Sequence, residues 1–153
     1  MTNNNASTIE SKQQELVAEF QSMTDWQDRY RTIIQMGKAL PEFPEEHRTD
    51  KNKVKGCQSQ VWLHANLDGG RVQFIADSDA AIVRGLIAIL LRVFSGHTPD
   101  EIIEAQPHFI NDIGLSENLS QTRANGLQAM IKQIKFYGVA FKSLHEKMAS
   151  HKA

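Results

Sequence analysis

A chain of 153 residues has the length of one ordinary domain, able to bury roughly 68–70% of the surface its unfolded form exposes. With 41% hydrophobic and 23% charged residues it is neither disordered nor collagen-like, and 17 Lys+Arg against 18 Asp+Glu leave no basic field over the whole molecule for nucleic acid. The single cysteine excludes an internal disulfide, a Cys-rich zinc site and an iron–sulfur cluster held by thiolates of this chain, because such centres need several converging ligands.

The opening MTNNNASTIESKQQ has neither a basic n-region nor an apolar h-region, so a cytoplasmic location is expected. Residues 1–8 read as a disordered tail and residues 9–153 as a single domain. From Ile9 to Gln21, Leu16, Val17 and Phe20 fit a short amphipathic helix. A second helix is expected from a Thr24/Gln27 capping box, with Trp26, Tyr30, Ile33, Ile34 and Gly37 at helical spacing until Leu40-Pro41. PEFPEEHRTDKN reads as a connecting loop.

The period then changes from helical to alternating. Val61, Leu63, Ala65 and Leu67 alternate with Trp62, His64 and Asn66, Asp68-Gly69-Gly70 makes a turn, and Val72, Phe74 and Ala76 alternate again. That pattern is a β-hairpin with one buried face, to which residues 52–55 are expected to add a short third strand. Ser78 or Asp79 should cap the next helix, AAIVRGLIAILLRVF, which is apolar on nearly every side and therefore buried. Its apolar run is too short for the roughly 20 residues that span a bilayer. Thr98-Pro99-Asp100-Glu101 starts another short helix. Leu127, Met130, Ile131, Ile134, Tyr137, Phe141, Leu144 and Met148 form a long helical stripe that reads as core. The fold class is α+β: a three-stranded antiparallel meander with helices packed on one side.

A lone cysteine is commonly just a small buried hydrophobe. Cys57, however, follows Gly56 and precedes Gln58-Ser59-Gln60, a setting for a loop rather than a core. Lys51, Lys53 and Lys55 alternate just before it. Two readings apply to them: cations that favour the thiolate, or a solvated strand edge that discourages aggregation. A Cys–His hydrolase or peroxidase needs a base within about 3 Å of the sulfur. His64 lies seven strand residues away at an odd offset, and His97 and His108 read as surface or helix-end residues. No metal-ligand spacing and no Gly-rich phosphate loop occurs, and no basic and aromatic interleaving suggests single-stranded nucleic acid.

Gly56-Cys57-Gln58-Ser59-Gln60-Val61-Trp62, followed by Asp77-Ser78-Asp79-Ala80-Ala81-Ile82-Val83-Arg84-Gly85-Leu86, resembles the SufE/CsdE family of sulfur-acceptor proteins. Trp26, Tyr30, Gly37 and Leu40-Pro41 upstream, and Leu119-Ser120, Arg123 and Gly126-Leu127 downstream, extend the similarity from Thr24 to near Met148. Ala76, where the family often has glycine, and Thr122-Arg123-Ala124-Asn125, in place of Ser-Arg-Ser, are departures that bear on the branch and hence on the partner. The resemblance implies a sulfur carrier without a cofactor or independent turnover of its own. It would take persulfide sulfur from a pyridoxal-phosphate cysteine desulfurase of the SufS/CsdA type onto Cys57, stimulate that enzyme, and pass sulfur to an iron–sulfur scaffold complex. The same resemblance assigns Asp79 and Arg123 to positioning or docking and leaves monomer and homodimer open. A loop that shields Cys57 until the partner docks, hinged at Gly56, is expected. The alternative is an allosteric activator of the desulfurase that carries no sulfur.

Overall fold

A computed structural model describes residues 8–152, with side chains described through residue 147. Of the expected tail, residues 1–7 lie outside the described residues, while Thr8 forms the N-cap of α1 (Ile9–Gln21), whose bounds match the sequence reading. The helix α2 spans Trp26–Lys38. Its cap is Asp25, not Thr24: the Asp25 carboxylate accepts the Gln27 N–H at 3.0 Å, and a carboxylate there also suits the positive end of the helix dipole.

The antiparallel hairpin pairs β1 (Val61–Asp68) with β2 (Arg71–Ser78) in the register Val61 opposite Ser78 through Asp68 opposite Arg71. Gly69 and Gly70 both take positive φ, as a tight two-residue hairpin turn requires. The expected third strand is absent, and among the described residues the sheet has two strands. Residues 52–55 are reduced to one isolated bridge, Lys53 to Trp62, with the Val54 N–H donating to the Val61 carbonyl at 2.9 Å. A 3-10 turn at Asp50–Asn52 and the left-handed Gly56 (φ 92°) bound this stretch and leave too few extended residues for a strand.

Helix α3 (Ala81–Phe94) buries nine side chains or glycine backbones on most sides, as its composition requires. Its N-cap is Ala80 rather than Ser78 or Asp79. The Ser78 hydroxyl only accepts the Ala80 N–H at 3.3 Å, and Asp79 is used elsewhere. α3 lies against the buried face of the hairpin, where Val61, Leu63 and Ala76 meet Ile87 and Leu90. It also crosses α2 at backbone contact: a Cβ on Gly37 would sit 2.6 Å from the Gly85 nitrogen, and one on Gly85 would sit 2.3 Å from the Ile33 carbonyl oxygen.

The short helices α4 (Pro99–Glu104), α5 (Phe109–Asp112) and α6 (Leu115–Asn118) lead into the long α7 (Gln121–Lys152). The capping box of Thr98 and Glu101 forms as the sequence indicates. Leu127, Met130, Ile131 and Ile134 of α7 join a core that extends from Ile9 through α1, the hairpin and α3. Each fully buried large aliphatic or aromatic side chain in it contributes roughly 1.5–3 kcal/mol. The stripe stops being core further on: Tyr137 and Phe141 are half-buried, Leu144 is 50% exposed, and Met148 has no described side chain. Along this part of α7 the partner is the short α4, with Ile102 packed over Gly138 and Asp100 paired with Lys142 at 2.8 Å.

The opposite face of the hairpin is partly covered by the segment between α2 and Cys57. His47 stacks on His64 with ring centres 3.8 Å apart, and the Arg48 guanidinium lies over the rings of Phe43 and Trp62. Arg48 also pairs with Asp77 at 2.6 Å. These contacts fix the polypeptide that leads into the cysteine loop. Among the described residues no helix is long and apolar enough to cross a membrane.

Candidate functional site

Cys57 sits on a short loop between the Lys53 bridge and β1, half-buried and unpaired. Gly56 gives the loop its direction, because φ 92° is strained for any residue with a side chain, and a Cβ there would approach Ala129 to 3.3 Å. The Cys57 thiol donates to the Gly126 carbonyl of α7 at 3.7 Å. It lines a cleft of about 360 Å³. Val83 and Leu86 of α3 with Leu127 and Met130 of α7 supply its apolar wall, while Ser59, Ser120, Thr122 and Arg123 supply polar groups.

The C-terminal side of the loop is held by Asp79. Its carboxylate accepts the Gln60 N–H at 3.1 Å, and the Asp79 N–H donates back to the Gln60 carbonyl at 3.4 Å. The residue is exposed, so this tie is accessible to solvent rather than locked in the core. Arg123 is exposed at the start of α7 and is the one charged residue among the described residues that line the cleft. The three residues singled out in the sequence thus gather at one place: Cys57 and Arg123 face a common cleft, and Asp79 braces the loop that carries the thiol.

The electrostatics bear on the lysine run before the loop. Of the two readings of Lys51, Lys53 and Lys55, cations that favour the thiolate or a solvated edge, the first finds no support: burial pushes the Cys57 thiol above its ordinary pKa. The lysines line a neighbouring groove instead. Burial thus disfavours the thiolate, the nucleophilic form of the sulfur.

No histidine lines the thiol cleft among the described residues. His64 is turned to the other face of the hairpin, where burial holds its pKa below the ordinary value. His108 is a helix-end residue, bonded to Asp112 at 2.6 Å and Glu10 at 2.9 Å. His97 corrects the surface reading: it is only 2% exposed, and its backbone carbonyl accepts the Val72 N–H at 2.8 Å in an isolated antiparallel bridge along the edge of β2.

Sequence reasoning missed the cleft walls contributed by Val83, Leu86, Thr122 and Met130. Apolar positions on α3 and α7 carry no local sign that they face a thiol rather than the core. Gly126 stood within the matched downstream segment, but its role as the acceptor for the thiol depends on a contact across 69 residues of chain.

Residues 14–137 match the family model of the SufE domain, described as an Fe-S metabolism associated domain. The chain is 48% identical over 126 residues to an uncharacterized SufE-like protein of Rhizobium etli, covering 79% of this chain and 85% of the relative. A second uncharacterized SufE-like protein, from Rhizobium meliloti, is 49% identical over 127 residues, covering 79% of this chain and 90% of the relative. A third, from Synechocystis, is 41% identical over 126 residues, covering 82% and 79%. In fold the chain is similar to the solution structure of a hypothetical protein from Thermus thermophilus, with a TM-score of 0.71, 22% identity, and coverage of 84% of this chain and 94% of that one. With a family model across most of its length and relatives above 40% identity, this α+β chain belongs to the SufE family, whose domain is associated with iron–sulfur metabolism.

Proposed function

We propose that this chain is a sulfur acceptor and carrier that works with a cysteine desulfurase. The observation that carries the reading is the position of Cys57, the chain's single cysteine, on a braced loop at a partly apolar cleft. In this reading the Cys57 thiolate attacks the outer sulfur of a persulfide on the donor cysteine. The bond from Cys57 Sγ to that sulfur forms, the donor S–S bond breaks, and the donor cysteine leaves as a thiolate that takes up a proton. The exchange needs no external oxidant. A single cysteine suits a carrier, since a second thiol nearby could attack the persulfide, release sulfide and leave a disulfide.

The cleft supports storage. Its apolar walls shield a persulfide from bulk thiols and water, and Arg123 supplies a cation beside a sulfur that is anionic once transferred. Asp79 is a positioning residue: it ties the loop at Gln60 and so fixes how far Cys57 leans into the cleft. The stored sulfur is then passed on to an iron–sulfur scaffold complex. The chain acts as a single domain over residues 9–153, in the cytoplasm, and stimulates the desulfurase by relieving it of its persulfide.

An allosteric activator without sulfur transfer is the second reading, favoured by the raised pKa of the half-buried thiol at rest. The two readings part at Cys57→Ser. Under the carrier reading this variant still binds the desulfurase but loses nearly all stimulation of cysteine turnover. Stimulation retained in full would select the activator reading.

A further inference from the structure

A second groove of about 720 Å³ is built, like the thiol cleft, on the cysteine loop and α7, with different residues of each. Gly56 lines the one and Cys57 the other; Ala129 of α7 lines the one and Met130 the other. Lys51, Lys53 and Lys55 approach from the loop side and Lys132 from α7, against a single acid among the described residues, Asp50. Four lysines less one aspartate give a local charge of +3 on a chain whose total is -1. Asp50 pairs with Lys53 at 3.4 Å, while Lys51, Lys55 and Lys132 have no carboxylate in ion-pair reach among the described residues. Beside these cations Phe136 is 58% exposed, its ring in the edge-on arrangement with Tyr137 at 6.0 Å.

Unpaired lysines repel one another and gain from an anionic surface laid across them. An exposed aromatic ring beside such cations has the anatomy of a protein interface, with an apolar anchor inside a charged rim. One phenylalanine without interleaved aromatics is a poor platform for stacked bases. The groove also ends at Gly56, the residue before Cys57, so an occupant is held on the loop that carries the thiol.

We propose that this groove anchors the sulfur donor, taking a face of that protein which presents several carboxylates around an apolar recess for Phe136. The inference rests on the carrier reading of Cys57 and adds where and by what chemistry the donor is held. Charge complementarity brings the donor in and sets its register, Phe136 slows its release, and the thiol cleft is left open to the incoming persulfide.

The test is the affinity of the full chain for a pyridoxal-phosphate cysteine desulfurase of the SufS class, titrated between about 0.05 and 0.5 M salt. The wild-type affinity should fall with salt. Lys51→Glu combined with Lys132→Glu should weaken binding about tenfold or more at low salt and flatten the salt dependence. Phe136→Ala should weaken it about tenfold while leaving the salt dependence in place. All three positions are at the surface, so the melting temperature should stay as in the wild type. Variants that bind as tightly as the wild type would overturn the groove and leave the carrier reading standing. A wild-type chain that neither binds the desulfurase nor accepts its sulfur would overturn both. Loss, in the charge-reversal variant, of binding to a single-stranded RNA or of salt-sensitive self-association, with desulfurase affinity unchanged, would assign the groove to that occupant and overturn the proposal.

Discussion

In the carrier reading proposed above, two demands on Cys57 pull in opposite directions. Transfer requires a thiolate, whereas burial raises the thiol's pKa and so shrinks the fraction ionised at neutral pH below the few per cent of an ordinary cysteine. The conflict is resolved if docking draws the loop outward, and the resting chain then protects its sulfur by the same burial that makes it slow to react. Alkylation of Cys57 in the free chain should accordingly follow an ionisation above the roughly 8.5 of an ordinary thiol. An inflection below that value would contradict the burial. Asp79→Ala frees the Gln60 N–H and should speed alkylation several-fold, while the tie, being exposed, costs at most about 1 kcal/mol of stability. Unchanged alkylation would remove Asp79 from the positioning role. Arg123→Ala should leave stability within about 0.5 kcal/mol, as an exposed site permits, and slow persulfide formation about tenfold, with partial recovery in Arg123→Lys.

The elements that carry this site were unequally legible. α1, the hairpin turn and the capping box of α4 follow from local chemistry, since period and cap residues act within a few positions, and each formed where expected. The third strand did not, because pairing in a sheet depends on flanking turns, here a 3-10 turn and a left-handed glycine. The apolar stripe of α7 gave the helix but not its ending as core: periodicity states which face is apolar, not whether anything packs there, and Leu144 is exposed. For the site, the loop character of Cys57 was readable from its neighbours, and Arg123, which lines the cleft, was singled out only by resemblance. The walls of the cleft were not readable, since they come from α3 and α7. The α3 wall is held by the close crossing of α2 and α3. Gly85→Ala would force a methyl group to 2.3 Å from a backbone oxygen. It should cost about 1–3 kcal/mol or more in urea unfolding, and it should disturb Cys57 alkylation because Leu86 moves with the helix. A neutral Gly85→Ala would contradict the crossing.

Over the whole molecule, charge and protonation divide the structure into a basic groove beside the thiol and histidines set into the body. Burial holds the pKa of His97 below its ordinary value, and of His64 likewise, so the folded chain keeps both neutral where the unfolded chain takes up protons. For such groups stability is lost as pH falls through the unfolded value near 6.5. His108 acts in the opposite sense, raised by its bond to Asp112, but at 38% side-chain exposure solvent screens most of that gain. Urea unfolding should therefore show lower stability at about pH 5.5 than at about pH 7.5. Equal or greater stability at the lower pH would contradict the burial of His97. These properties matter to function only if the molecule carries sulfur, and that is measured directly by mass spectrometry of the intact chain after incubation with a turning-over cysteine desulfurase, cysteine and pyridoxal phosphate. The expected result is the added mass of one sulfur atom, mapped to Cys57, removed by a thiol reductant and missing in Cys57→Ser. An unmodified Cys57 while the desulfurase is shown to be forming its own persulfide would contradict the carrier.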